Sequence, residues 1–314
     1  MKLCGRLVIL VPMVLAVVAF VLSMLALFAG HKQGFMEDYA IVRLNTSMVG
    51  HDLLDTSSEK EKSGDKKKDG LLGHVQGWWD DKKNDAKDKI NNVTGHIADK
   101  MAKNIGIKEW YSLHVMNSCE GYYSPNSTAP GVGLNITNCT TSSPDSRFNL
   151  SQILDKELTA GPVKLNLASI KWPDSIQEKL DDINQAILGM FVIYAIGAGL
   201  SGLAFLSSIL ALWKPDLRRI VLANFVISSL GFLSLLIGSI IVTVAANKGV
   251  NGLNKAGEKV GLSATTGTKF YTLSWVSTGF MGIVALFWLG QFCAVRRDRK
   301  RRGLNEKHVK HIDS

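Results

Sequence analysis

The chain has 314 residues, a formal charge of +9, 46% hydrophobic residues and 20% charged residues. A soluble domain spreads its apolar residues at strand or helix periodicity. Here they gather in four blocks free of Asp, Glu, Lys, Arg and His, which excludes a single soluble domain and points to membrane spans.

In chain order, residues 1–6 are a short start carrying Lys2 and Arg6, and Leu7–Ala29 is the first block. Its 23 residues exceed the roughly 7–15 of a signal-peptide core, and no small-residue cleavage site follows, so a retained helix is expected. Were it cleaved, three spans would remain and the other topology would stand.

Half the chain follows as one loop, 30–186. Residues 31–70 include a charged run of mixed sign from Glu59 to Asp69 and read as flexible and solvated. In 71–105, Leu71, Val75, Trp79, Ala86, Ile90, Val93, Ile97, Met101 and Ile105 recur at helical steps, predicting an amphipathic helix. Its apolar stripe packs on the rest of the loop, anchors at the membrane interface through Trp78 and Trp79, or pairs with another copy. Residues 109–172 read as a small antiparallel sheet, with strand patterns at 110–119, 132–137 and 162–172. After Pro173, Ser175 and Glu178 suggest a capping box. Ile176, Leu180, Ile183 and Ile187 share one face, so a helix from 174 should run unbroken into the second span.

The remaining spans are Ile187–Trp213, Ile220–Ala246 and Phe270–Val295, each longer than the roughly 20 residues that cross a bilayer. A turn, 214–219, joins spans two and three; a second loop, 247–269, whose centre reads as a short helix, joins spans three and four. Residues 296–314 form a basic tail. Within the spans, Ala198/Gly202, Gly197/Ser201, Ser234/Gly238 and Thr278/Gly282 place small residues four apart, suited to close helix packing within the bundle or between copies. Asn224 and Gln291 are the largest polar side chains there, expected to bond between helices or mark an interface.

Three features give one orientation. Lys2 and Arg6, then Lys214, Arg218 and Arg219, then Arg296, Arg297, Arg299, Lys300, Arg301 and Arg302 flank the spans on a common side, which the positive-inside rule makes cytoplasmic. The N-x-S/T triplets at Asn45, Asn92, Asn126, Asn135, Asn138 and Asn149 all lie in the first loop, as expected of a glycosylated outer segment. Cys119 and Cys139 share that loop and pair most simply with each other, closing about 20 residues, worth about 3 kcal/mol in the chain-entropy model. Cys4 and Cys293 sit at the inner edge, as S-acylation sites or plain thiols. The expected architecture is an all-α four-helix membrane bundle with both termini cytoplasmic. A small extracellular disulfide-pinned β-sheet and an amphipathic helix complete it.

Chemistry is sparse. No zinc-ligand spacing, nucleophile elbow or phosphate-binding glycine loop occurs, so neither an enzyme nor a metal or other cofactor is expected, and nothing points to nucleic acid. His308 and His311 form a lone pair in the basic tail, and His114 reads as structural. Spans without ionisable residues disfavour coupled transport. The tail cluster at 296–302 suits anionic inner-leaflet lipid, each cation adding about 1 kcal/mol.

The segment Ile105-Gly-Ile-Lys-Glu-Trp-Tyr-Ser-Leu-His-Val-Met-Asn-Ser-Cys-Glu-Gly-Tyr-Tyr123 resembles the first-loop signature of the fungal Sur-seven/PalI family, claudin-like four-span proteins. Trp110, Tyr111, Leu113, His114, Cys119, Glu120 and Gly121 carry that likeness. The Lys214-Pro-Asp-Leu-Arg-Arg turn, and Gly267-Thr-Lys-Phe270 leading to Trp275, are similar to filamentous-fungal members. The resemblance implies a plasma-membrane protein of eisosomes, the cortical furrows, with roles in membrane organisation, cell-wall integrity, endocytosis or sporulation. Expected partners are the bilayer, the wall outside, and further copies or other cortical membrane proteins. The PalI branch implies an accessory of ambient-pH signalling instead, and the claudin likeness a channel or calcium-influx accessory.

Overall fold

The computed structural model describes residues 2–49, 107–125, 127, 132–143, 147–160, 167–168, 172–213 and 218–312, with the backbone alone at 2–7 and 298–312. Among them the order of elements is α1 (Lys2–Phe28), β1 (Val42–Asn45), β2 (Trp110–Leu113), β3 (Ser118–Ser124), β4 (Gly133–Cys139), α2 (Leu150–Ala160), α3 (Asp174–Trp213), α4 (Arg218–Gly257), β5 (Ser263–Thr266) and α5 (Thr268–Ile312). The chain divides into two compact units, one of residues 1–29, 186–244 and 268–314, the other of 30–185 and 245–267.

The first unit is helical. Its four helices, α1, α3, α4 and α5, are long and apolar enough to cross a bilayer. Large apolar side chains face outward from each, Leu286 being 69% exposed, a surface suited to lipid and not to water. Inside, the helices approach at small residues. A Cβ added to Gly197 would meet Leu235 at 2.8 Å, one on Gly238 would meet Tyr194 at 2.9 Å and one on Gly282 would meet Phe232 at 3.0 Å. The small residues at these positions therefore serve packing within the chain.

Buried hydroxyls and one amide join the same helices. Ser207 Oγ donates to Asn224 Oδ1 at 2.7 Å, and Asn224 Nδ2 donates to Ser207 O at 3.2 Å, linking α3 to α4. Ser239 Oγ lies 2.6 Å from Ser274 Oγ and 3.0 Å from Thr278 Oγ1, linking α4 to α5. Ser277 Oγ donates to Ala19 O at 2.9 Å, linking α5 to α1. In an apolar solvent each such bond satisfies a group that water cannot reach.

The second unit is built on a five-stranded antiparallel sheet in the order β4-β3-β2-β1-β5. β1 lies inside the segment 31–70 that reads as flexible. Ile41, Val42 and Leu44 are fully buried, and β1 pairs with β2 on one side and β5 on the other. The stretch 37–49 is thus a structural centre, and the Lys-rich run beyond it lies outside the described residues. The second loop is helical to its centre, as expected, with α4 running to Gly257 and a 3-10 turn at Glu258–Val260; the strand β5 that follows has no counterpart among the expected elements. Its sequence Ser-Ala-Thr-Thr has a weak strand signal, and its pairing comes from outside: Asn254 exchanges two hydrogen bonds with the backbone of Ala264, at 2.6 and 3.1 Å.

The segment 109–172 is not all sheet. α2 buries Leu150, Leu154 and Leu158 on one face, one residue per turn of the helix. Asn149 caps it, accepting from Gln152 N at 2.9 Å. α2 is tied to α3 by Phe148 and Asn184, whose amide donates to Phe148 O at 2.9 Å. Of the strand pattern at 162–172, the described residues 167–168 form a turn. α3 does run unbroken from 174 to 213. It starts at Asp174, so Ser175 lies within its first turn rather than at the cap. The helix pattern of 71–105, with Trp78, Trp79 and Asn92, lies outside the described residues, as do Asn126, the side chain of Cys4 and those of Arg299, Lys300, Arg301, Arg302, His308 and His311.

Candidate functional site

The signature residues converge on β2 and β3. Trp110 is fully buried and lies against Gly121, its neighbour across the ladder. A Cβ at Gly121 would collide with the Asn135 carbonyl and the Trp110 ring, so only glycine lets β3 sit between them. Cys119 bonds to Cys139 across β3 and β4. His114, just beyond β2, is buried beneath Gly30, which holds a φ of 76° at the close of α1. Asn117 fixes that crossing by donating to Gly30 O at 2.6 Å.

Behind the strands lies a buried polar group of distant origin. Glu37 Oε1 is 3.1 Å from His114 Nε2 and also accepts from Ser112 Oγ. Glu37 Oε2 and His114 Nδ1 are buried with no hydrogen-bond partner. Arg43 reaches the Glu37 carbonyl at 3.4 Å and Asp38 at 3.9 Å. Burial alone would push the Glu37 carboxyl up. The hydrogen bond and charge of His114, the Ser112 hydroxyl and the Arg43 charge more than offset this, leaving it below the ordinary carboxylate value.

A second cluster ties α2 to the sheet. Glu157 accepts from Tyr111 Oη at 2.5 Å and pairs with Lys108 Nζ at 3.4 Å. Lys108 also lies 5.6 Å from the Tyr122 ring centre. Burial, then the Glu157 charge, push the Tyr111 phenol well above its usual value and raise the Glu120 carboxyl. Burial lowers the Lys108 amine, but Glu157, Tyr122 and Glu120 together outweigh it and raise the amine on balance. Glu109, on the same edge, accepts from Tyr123 N at 2.6 Å.

Glu37, His114 and Cys119 place one ligand atom each within 4.8 Å of one another. The Cys119 sulfur is spent in the disulfide and offers no thiolate, so this group is a structural knot and not a metal centre. The carboxylate takes both the serine and the histidine on one oxygen. That arrangement does not align serine, histidine and acid in series for nucleophilic attack.

The other sequence-derived residues are dispersed. Asn135 and Asn138 are exposed on β4, an edge strand. A bulge leaves Thr137 unpaired and sets Asn135 opposite Tyr122 and Asn138 opposite Glu120, so both asparagines share one sheet face although they are three apart. Asn149 is exposed at the cap of α2. Asn45 is half-buried in β1, its Oδ1 held by Ser47. Cys293, Arg296 and Arg297 are exposed on α5. Glu37, Arg43, Glu109 and Glu157 were not legible as site residues. Glu37 meets His114 across 77 positions, and no local pattern announces such a pair.

The two units together define a multi-pass membrane protein with a disulfide-closed sheet, the architecture of claudin-like four-span proteins. The model of the SUR7/PalI family matches residues 8–287, and the chain belongs to that family. A search of curated proteins gave no match.

Proposed function

We propose that the protein is a non-enzymatic organiser of the fungal plasma membrane, acting in an eisosome or related cortical microdomain and linked to cell-wall integrity, endocytosis or sporulation. The observation that carries this reading is the family match across 8–287, which reaches from the first membrane helix into the last. Both termini lie in the cytoplasm. The sheet unit faces the wall, carrying sugars on outer-loop asparagines. The spans pack as an anchor rather than a conduit, in keeping with blocks free of ionisable residues. Arg296, Arg297, Arg299, Lys300, Arg301 and Arg302 engage anionic inner-leaflet lipids at the end of α5. Cys293, exposed beside them, is suited to S-acylation. Gly189, Gly199, Gly279 and Gly290 have open space where a side chain would be, which suits association with copies or other cortical membrane proteins. Fluorescence imaging of the tagged chain in its native fungus tests the reading. Stable cortical patches are expected, and a uniform or internal signal overturns it.

A second reading, an accessory of ambient-pH signalling, is favoured by the buried Glu37–His114 pair. Deletion of the protein should then alter alkaline-responsive gene expression, and an unchanged response removes this reading.

A further inference from the structure

Two reactions compete for one short stretch of β4. Asn138, Cys139 and Thr140 form a glycosylation triplet whose middle residue is the second cysteine of the disulfide. The transferase takes such a triplet as an accessible, unpaired segment. In the fold none of it is free in that sense. Asn138 is paired with Glu120 beside the Cys119–Cys139 bond. Thr140 Oγ1 accepts from Ser118 N at 3.0 Å and donates to Ser118 O at 3.3 Å. Closing the disulfide clamps Cys139 to Cys119 and brings Thr140 onto Ser118. Yet Asn138 is exposed, so a sugar added earlier is accommodated afterwards without disturbing the sheet.

Timing makes the competition real. Cys119 precedes Cys139 by 20 residues, so it has already crossed the membrane when Cys139 emerges. The disulfide and the Asn138 triplet become available at nearly the same moment. Asn149 lies beyond both cysteines, and its triplet caps α2 without contacting the disulfide.

We propose that Asn138 is a conditional glycosylation site, modified only while the Cys119–Cys139 disulfide is open, whereas Asn149 is modified independently of it. This rests on the reading of the first loop as outer. In the sugar reaction, Asn138 Nδ2 attacks the anomeric carbon of a lipid-pyrophosphate-linked oligosaccharide. The C–N bond forms, the C–O bond breaks, the lipid pyrophosphate leaves with the electron pair, and the amide gives up one proton. In the competing reaction the two thiols lose two protons and two electrons to the disulfide of an oxidoreductase, which departs as a dithiol.

The test is site occupancy, measured by peptide mass spectrometry on newly made full-length chain from a eukaryotic secretory host. Cys119→Ala, which opens the disulfide without creating a new triplet at Asn117, should raise occupancy at Asn138 by about twofold or more, as when one of two reactions of similar rate is removed. Asn149 should stay unchanged. A brief pulse of reductant on the unaltered chain should do the same, which separates the effect from any misfolding of the variant. Asn138→Gln should abolish the gain. Unchanged Asn138 occupancy beside a glycosylated Asn149 overturns the proposal alone. So does full Asn138 occupancy in the unaltered chain. Absence of sugar at every triplet overturns the proposal together with the outer placement of the loop.

Discussion

Glu37 Oε1 lies 3.1 Å from His114 Nε2, with both side chains buried and the two residues 77 positions apart. An ionised carboxylate only accepts, so Nε2 carries the proton of this bond. The pair closes the start of the first loop onto the end of β2, and its value lies in the cost of breaking it. Glu37→Ala would strand His114 and Ser112 without their acceptor. A loss of about 3 kcal/mol is expected for one partner removed from a buried pair, and thermal unfolding in detergent measures it. A change below the scatter of surface substitutions would show the pair to be incidental.

The same carboxyl gives a pH dependence of known sign. Its folded value is lowered, by His114, Ser112 and Arg43 acting against burial. Its contribution is fully present above the unfolded value of about 4.3 and is lost as pH falls through the lowered folded value. The unaltered protein should therefore lose stability more steeply than Glu37→Gln on acidification below about pH 4. Parallel acid melting curves for the two would count against this role.

Tyr111 has the opposite sign. Its phenol is raised by burial and by Glu157, so its stabilising effect is present below the ordinary value of about 10 and is lost as pH rises through the raised folded value. Tyr111→Phe removes the 2.5 Å bond to Glu157. It should cost about 1–3 kcal/mol at neutral pH and flatten the alkaline limb of the stability profile. Chemical denaturation across pH reads both effects.

Gly121→Ala should separate β3 from β4. The new methyl meets the Asn135 carbonyl and the Trp110 ring, and overpacking of this kind costs about 1–3 kcal/mol. The sharper readout is chemical: thiol labelling of Cys119 and Cys139 should rise, because their strands no longer align.

Asn224→Ala should loosen α3 from α4 by about 0.6–2 kcal/mol, the range for interhelical hydrogen bonds in bilayers. It removes the bonds to both Ser207 and Ser208. Resistance to denaturing detergent measures this loss, and an unchanged unfolding midpoint would show that the amide is dispensable.

The membrane helices were legible because a bilayer imposes one strong rule, and four uncharged blocks obey it. Cys119, Gly121 and Trp110 were legible as a signature, while their geometric reason was not. β1 was missed because Ile41, Val42 and Leu44 sit in a segment whose average character is set by the lysines after it. β5 was missed because Ser263–Thr266 has little strand propensity of its own; Asn254 and β1 hold it in place. α2 carried a visible period in Leu150, Leu154 and Leu158, but it lies between strand-rich segments. Partners such as Glu37 and Glu157 depend on contacts that only the folded chain creates.

The place of β1 has a consequence for biogenesis. Thr265 on β5 donates to the Arg43 carbonyl on β1 across 222 positions, and β5 is the last strand of the sheet to be made. During synthesis β1 therefore waits with one hydrogen-bonding edge uncovered until α4 has been produced and the following segment has returned. A chain stalled or misthreaded before that point keeps a bare strand edge beside apolar residues, the kind of surface that chaperones retain. Docking of four modest residues, Ser263 to Thr266, thus covers the last open edge of β1 and completes the sheet while the final helix, α5, is still to be made.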